Sequence, residues 1–370
     1  MPLRIGPPAT LGLIVAVGLA AGAACGGASG GGAGYGPGTT AQPLPPAPPR
    51  WQDDLSLLLP PDATLVARVD AARLRASPYY PILRDLAARH PQGRDVVASA
   101  LEGADELWLA VRARDDGGDP DLVVVGRGPD LGARIDADAP RHGFVSRERV
   151  SGVDVMREVS GARAAIVLLS ADTRVLTRGE EPEAVLARAE ARAPRGPFDA
   201  RSTLTGLASR VGMRDASVAV VATLPPSERA RLRQRRGLEA SIADARAVAA
   251  RLEASDGVLL EITADMESVD AAARARNAVT AELDRLAGNP VLALMGLRDV
   301  VARARVSSRG DRLDAVLHLS DAEVRSLLQR FGPLSSRLGT GLTRTAPNAT
   351  LVDAAPPRTA GSFPAVEGAR

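Results

Sequence analysis

The chain has 370 residues, 45% hydrophobic and 24% charged, with a formal net charge of +2 and only 2% aromatics. This suits one large or two small globular domains with aliphatic cores, and the small net charge makes no case for nucleic acid, although the pI is near 9.1. All 46 basic residues are Arg and there is one Cys, which excludes phosphate-loop lysines, Schiff bases, Ser–Lys nucleophiles, intrachain disulfides and multi-cysteine zinc or iron–sulfur sites.

Residues 1–24 read as an export leader. Arg4 supplies the positive start, Leu11–Ala21 the apolar run, and Gly22-Ala23-Ala24 the small residues before Cys25. The apolar stretch is too short to span a bilayer comfortably. Gly22-Ala23-Ala24-Cys25 resembles the signal of bacterial lipoproteins, in which a box of small residues ends in the Cys that receives lipid. That resemblance implies acylation, palmitate included, at Cys25 and attachment to a membrane. Gly26 follows where a retention-type Asp would stand, so the resemblance implies the outer membrane. The other readings are simple secretion, with cleavage at the A-x-A site Ala21-Gly22-Ala23, and an uncleaved anchor.

Residues 25–50 are rich in Gly and then Pro, the composition of a tether holding a body off a membrane. The body divides into units at 51–195 and 196–340, followed by a disordered tail at 341–370. In the first unit, Thr64–Val69 reads as a strand and Ala71–His90 as a helix interrupted at its prolines. Glu106–Ala113 and Asp121–Val125 form a hairpin, and Pro129–Ala139 a short helix. Strands follow at Phe144–Arg149, Val153–Val159, Ala164–Leu169 and Thr173–Thr177, then a helix at Glu181–Arg192. In the second unit, Ser202–Arg210 is a helix and Ala216–Ala222 a strand. Leu238–Glu253 reads as a helix from its apolar spacing, and Val258–Ile262 as a strand. A long helix starts after Ser268 and stops at Gly288-Asn289-Pro290. Another helix runs from Val291 to Ala304, then a hairpin of Arg303–Ser307 with Arg312–Leu319, then a helix from Asp321 to Phe331. In the hairpin Leu313, Ala315, Leu317 and Leu319 turn inward and His318 outward.

Asp62-Ala63-Thr64-Leu65-Val66 matches Asp215-Ala216-Ser217-Val218-Ala219. The expected fold is therefore α+β, two similar units of antiparallel sheet packed by helices. The stretch Leu59-Pro60-Pro61-Asp62-Ala63 through Pro78, with the closing hairpin and Asp321-Ala322-Glu323, resembles a class of uncharacterised exported bacterial envelope proteins. That resemblance implies an envelope setting and no chemistry.

Four stretches could carry chemistry. Gly27-Ala28-Ser29-Gly30-Gly31 has the spacing of a nucleophile elbow, but in low-complexity sequence without the strand and helix that an elbow needs. Gly126-Arg127-Gly128-Pro129-Asp130-Leu131-Gly132 is one residue longer than a dinucleotide fingerprint and places Asp130 where a phosphate would sit. Asp115, Asp116, Asp119 and Asp121 cluster on a Gly-containing turn, a weak calcium candidate beside the plainer reading of a solvated hairpin tip. Arg229, Arg231, Arg233, Arg235 and Arg236 could hold anionic groups by bidentate pairing, or form a solvated helix turn. The histidines His90, His142 and His318 show no metal-binding spacing. Trp108 and Tyr79-Tyr80 read as core.

No cofactor is expected. The reading is a non-enzymatic scaffold or interaction protein of the cell envelope, at the outer membrane or periplasm. Its partners are the membrane, through a lipid anchor, and an envelope protein, with no nucleic acid. The alternatives are a periplasmic protein binding a lipid or other apolar ligand in a cleft between the halves, and a secreted enzyme working without Lys or Cys.

Overall fold

The computed structural model describes residues 50–80, 102–114, 118–159, 163–191, 195–200, 202–235, 238–254, 257–294 and 297–326. The leader, Cys25, Gly27–Gly31, the tether before residue 50, the tail and His90 lie outside the described residues.

In chain order the strands are β1 (Leu65–Asp70), β2 (Glu106–Arg112), β3 (Asp121–Arg127), β4 (Phe144–Val150), β5 (Val153–Glu158), β6 (Ala164–Leu168), β7 (Thr173–Arg178), β8 (Val218–Thr223), β9 (Ala245–Glu253), β10 (Gly257–Met266), β11 (Arg305–Arg309) and β12 (Arg312–Ser320). The helices are α1 (Ala71–Arg75), α2 (Leu131–Asp138), α3 (Pro182–Glu190), α4 (Thr203–Arg210), α5 (Pro226–Arg233), α6 (Leu238–Ile242), α7 (Val269–Ala287), α8 (Pro290–Leu294) and α9 (Arg298–Ala302). The fold is α+β. All twelve described strands join one sheet in the order β11-β12-β10-β9-β8-β1-β2-β3-β7-β6-β5-β4, and each recorded ladder is antiparallel.

The two arms of the sheet join at the β1–β8 ladder. Continuing the sequence match one residue past Val66 and Ala219 makes Ala67 the counterpart of Val220. Those two oppose each other, with Leu65 against Ala222 on one side and Val69 against Val218 on the other. The register thus has a local two-fold axis between Ala67 and Val220. Outward from it, the chain follows one order in both arms. β1, β2 and β3 are laid down side by side, α2 leads to the outer edge, and the strands return until β7 meets β3. Likewise β8, β9 and β10 are followed by α7, and β11 and β12 return until β12 meets β10. The first arm adds the hairpin β4–β5 on its outside. The two arms meet through backbone hydrogen bonds, and Val66, Ala67, Val220 and Val221 are all buried there.

Side-chain alternation assigns the two faces. One face carries Val66, Trp108, Val123, Val125, Val175, Ala219, Val221, Ala247 and Ala249, packed against a 3-10 turn at Leu55–Leu58 and against Val185, Leu186, Leu204 and Leu207 of α3 and α4. On the other face α7 sets Ala271, Ala272 and Ala275 against Ala264 and Leu313. α2 contributes Leu131, which packs with Leu107. Central strands are covered on both sides, which is why β8 reads Val-Ala-Val-Val-Ala without a polar break. Ser268 caps α7 by accepting the Ala271 N–H at 3.1 Å, and Ser202 caps α4 by accepting the Leu204 N–H at 3.2 Å. Ser151 and Gly152, both at positive φ, close the β4–β5 hairpin in two residues.

One expected element is wrong in type. Leu238–Glu253 is not a single helix: α6 ends at Ile242, and Ala245–Glu253 is the strand β9. An alanine-rich stretch favours helix in isolation. Here β8 on one side and β10 on the other offer hydrogen-bonding ladders along its length, and Ala247 and Ala249 are small enough to lie beneath α4 and the 3-10 turn. The helix expected over Val291–Ala304 is likewise divided into α8 and α9, with 295–296 outside the described residues. The strand expected to stop at Ile262 runs on to Met266 as β10. His318 is exposed, and Leu313 and Leu319 are buried.

Candidate functional site

The arginine-rich segment folds as α5 with the turn after it, between β8 and β9. Pro226 starts the helix, where its missing N–H costs nothing, and Leu232 is its buried residue. Each described arginine of the set meets a carboxylate. Arg229 pairs with Glu267 and Arg231 with Glu228 at 2.9 Å. Arg233 reaches Asp244 and Glu267, both at 3.0 Å, and Arg235 reaches Glu239 at 2.9 Å. Arg236 lies outside the described residues. Arg274 of α7 closes on Asp244 at 3.0 Å, and Arg246 donates to the Glu267 carbonyl at 2.8 Å. The segment therefore works as a clasp tying α5 and α6 to the β10–α7 junction. Its positive charge faces Asp244 and Glu267, whose place beside it the sequence spacing did not show.

The aspartate loop divides. Asp115 and Asp116 lie outside the described residues, and Asp119 is exposed. Asp121 is buried at the start of β3, opposite Arg112 of β2. Arg112 donates to it through Nε at 3.0 Å and Nη2 at 2.5 Å, and Arg114 lies 3.7 Å away. The hydrogen bond to Asp121 raises the Arg112 pKa above its ordinary value, against the opposing effect of burial. Two guanidinium groups stand where a cation would bind. Among the described residues no group of three His, Cys, Asp or Glu side chains could hold a metal ion.

Close by is a pair that the sequence did not reveal. Glu180, 3% exposed, accepts two hydrogen bonds from Arg188, at 3.0 and 2.6 Å. Arg188 also donates to the Leu58 carbonyl at 2.8 Å, and Arg112 lies 3.9 Å from Glu180. One arginine thus ties α3 to the end of β7 and to the 3-10 turn. The eight-residue separation of Glu180 and Arg188 spans a turn and most of a helix, so no helical or strand period marks it.

The glycine-rich stretch after β3 serves backbone packing. The Gly128 N–H donates to the Asp172 carbonyl at 3.0 Å. A Cβ on Gly128 would lie 2.2 Å from the Gly103 carbonyl oxygen, and one on Gly132 would lie 2.5 Å from the Ala171 carbonyl oxygen. Three loops touch here through main chain, so the glycines have a structural cause. Arg174, 7% exposed, fills the same corner, donating to the Ser170 and Thr173 carbonyls. Burial lowers its pKa, and Asp136 partly opposes this.

Several carboxyls are held below the ordinary carboxylate range. Asp172 accepts from the Ser170 hydroxyl at 2.6 Å and from Thr173 at 3.1 Å. Glu323 accepts the Ser320 N–H at 2.9 Å and the Ser320 hydroxyl at 2.7 Å. Burial pushes Asp244 up, but hydrogen bonds from Arg233 and Arg274 outweigh it. A depressed folded-state pKa means that the stabilisation is complete above the unfolded value and is lost as pH falls through the folded one. The thermal midpoint should therefore change little from neutrality down to about pH 5 and fall steeply below about pH 4. Melting followed by circular dichroism across that range checks it. A midpoint that rises on acidification contradicts the assignment.

No family model matches the chain, and no curated protein matches it. Among solved structures, crystal form I of TP0453 shares 14% identity over 75% of this chain and 96% of its own, with a TM-score of 0.45. Crystal form III of TP0453 shares 13% over 74% and 96%, with a TM-score of 0.47. A likeness at that level says nothing further of this chain.

Proposed function

We propose that the chain is a lipid-anchored protein of the cell envelope that acts by binding, as a scaffold or interaction module. The observation that carries this reading is the place of its only cysteine, directly after an apolar run and three small residues and before a Gly- and Pro-rich tether. Two or more acyl chains on Cys25 would hold the protein stably, since each buried methylene contributes about 0.8 kcal/mol and one chain alone binds only reversibly. Among the described residues no helix is long and apolar enough to cross a membrane. Within the body Asp121 and Glu180 are each engaged by an arginine, an arrangement that ties elements together.

Growth with radioactive palmitate tests the anchor. The native chain is expected to take up label and sediment with membranes. Cys25→Ala is expected to lose the label and appear in the soluble fraction, or to be retained through an uncleaved leader but still unlabelled. Equal labelling of the two forms removes the proposal.

A further inference from the structure

Among the described strands β11 is an outermost one of the sheet. Its hairpin with β12 closes through Gly310 and Asp311, with Arg309 opposite Arg312. In a two-residue hairpin the flanking pair exchanges both hydrogen bonds, so Arg305, Ser307 and Arg309 aim their backbone groups at β12. Val306 and Ser308 aim theirs away from the sheet. Beside this edge lies a cavity of about 310 Å³. Leu283, Asp284 and Ala287 of α7, Val301 of α9, and Ala304 and Val306 are among the residues that line it. The side chains of Arg305 and Arg309 lie on the opposite face, exposed, and neither makes an ion pair among the described residues. At the other edge of the sheet, β4 is differently placed. Its Arg147 is paired with Asp154 at 2.8 Å and its Glu148 with Arg157.

We propose that β11 receives an acidic, extended protein segment as an added strand. Backbone groups of Val306 and Ser308 would bind its main chain. Side chains alternate along such a segment. The one opposite Val306 would enter the cavity beneath α7, which has room for a large apolar group. Those opposite Arg305 and Arg309 would stand on the other face, and carboxylates there meet two exposed guanidinium groups, with Asp314 of β12 between them across Ser307. The segment so specified carries acids four residues apart, with an apolar residue beside the acid that faces Arg305. A second copy of β11 is a poor occupant. Antiparallel pairing about Ser307 would set Arg305 against Arg309 of the other copy, and like charges directly opposite destabilise a ladder. The proposal rests on the reading of the chain as an interaction protein but not on its anchor, because peptide binding and palmitate labelling fail separately.

The test uses the full chain in detergent and a fluorescein-labelled peptide, Glu-Thr-Thr-Leu-Asp, followed by anisotropy. Its control has Gln and Asn in place of the acids. The acidic peptide is expected to bind and the control to bind about tenfold more weakly or worse. Val306→Pro removes one outward N–H and should weaken binding by about tenfold or more. If that variant does not fold, Arg305→Glu with Arg309→Glu decides, since both side chains are exposed. This pair should lose the acidic peptide and gain one with Arg at both acidic positions. Equal binding of the two peptides, or an affinity that neither set of variants changes, overturns the proposal. So does a concentration-dependent dimer that Val306→Pro disperses, which would make a second copy the occupant.

Discussion

Trp108→Ala is expected to destabilise the protein by about 3–5 kcal/mol, the usual cost of removing a large buried aromatic side chain and leaving a cavity. Trp108 is 3% exposed on β2, next to the junction of the two arms. Its ring meets Phe198 edge-on at 5.9 Å and 61°, and the Arg68 guanidinium lies 5.9 Å from its centre. Arg68 in turn bonds Glu106 at 2.8 Å and the Arg214 carbonyl at 2.8 Å, so the indole supports the turn that leads into β8. The indole N–H is buried without a hydrogen-bond partner among the described residues. Trp108→Phe keeps an aromatic ring and removes that orphan donor, so it should cost much less than the alanine. Denaturant unfolding followed by circular dichroism measures both. Equal losses for Phe and Ala would mean that ring packing is not what the site needs.

Glu180→Ala should be comparably severe, at about 3–5 kcal/mol, because it leaves the Arg188 charge buried and without its carboxylate. Arg188 is 14% exposed and Glu180 3%. Water therefore cannot readily replace the two lost hydrogen bonds, while the bond to the Leu58 carbonyl holds the guanidinium in place. Replacing both partners with apolar residues, Glu180→Leu with Arg188→Met, should recover much of the loss, since no uncompensated charge remains. The same unfolding measurement on the single and double variants gives the coupling. A double variant as unstable as Glu180→Ala alone would place the effect in side-chain shape and not in charge.

Much of the order of elements was legible in the residues. Alternation in Leu313, Ala315, Leu317 and Leu319 and the apolar run of β8 are local signals, and each marks a feature the chain adopts. The candidate sites were legible only as composition. The run of arginines was plain, and so was Glu228 within it, but the other carboxylates arrive from α6, from the turn before β9 and from the end of β10. Asp121 was one of four clustered aspartates, and the arginine that claims it comes from the facing strand.

The α+β class and most strand positions are written in short-range patterns, because side-chain period and apolar run length act within a few residues. The conformation of Ala245–Glu253, the joining of both arms through β1 and β8, and the pairing of every buried charge are not. Alanine packs as well in a helix as in a strand, and a carboxylate accepts whichever guanidinium is near. Those outcomes wait on partners brought close by the folded sheet, with β8 and β10 supplying the hydrogen bonds that make β9 a strand.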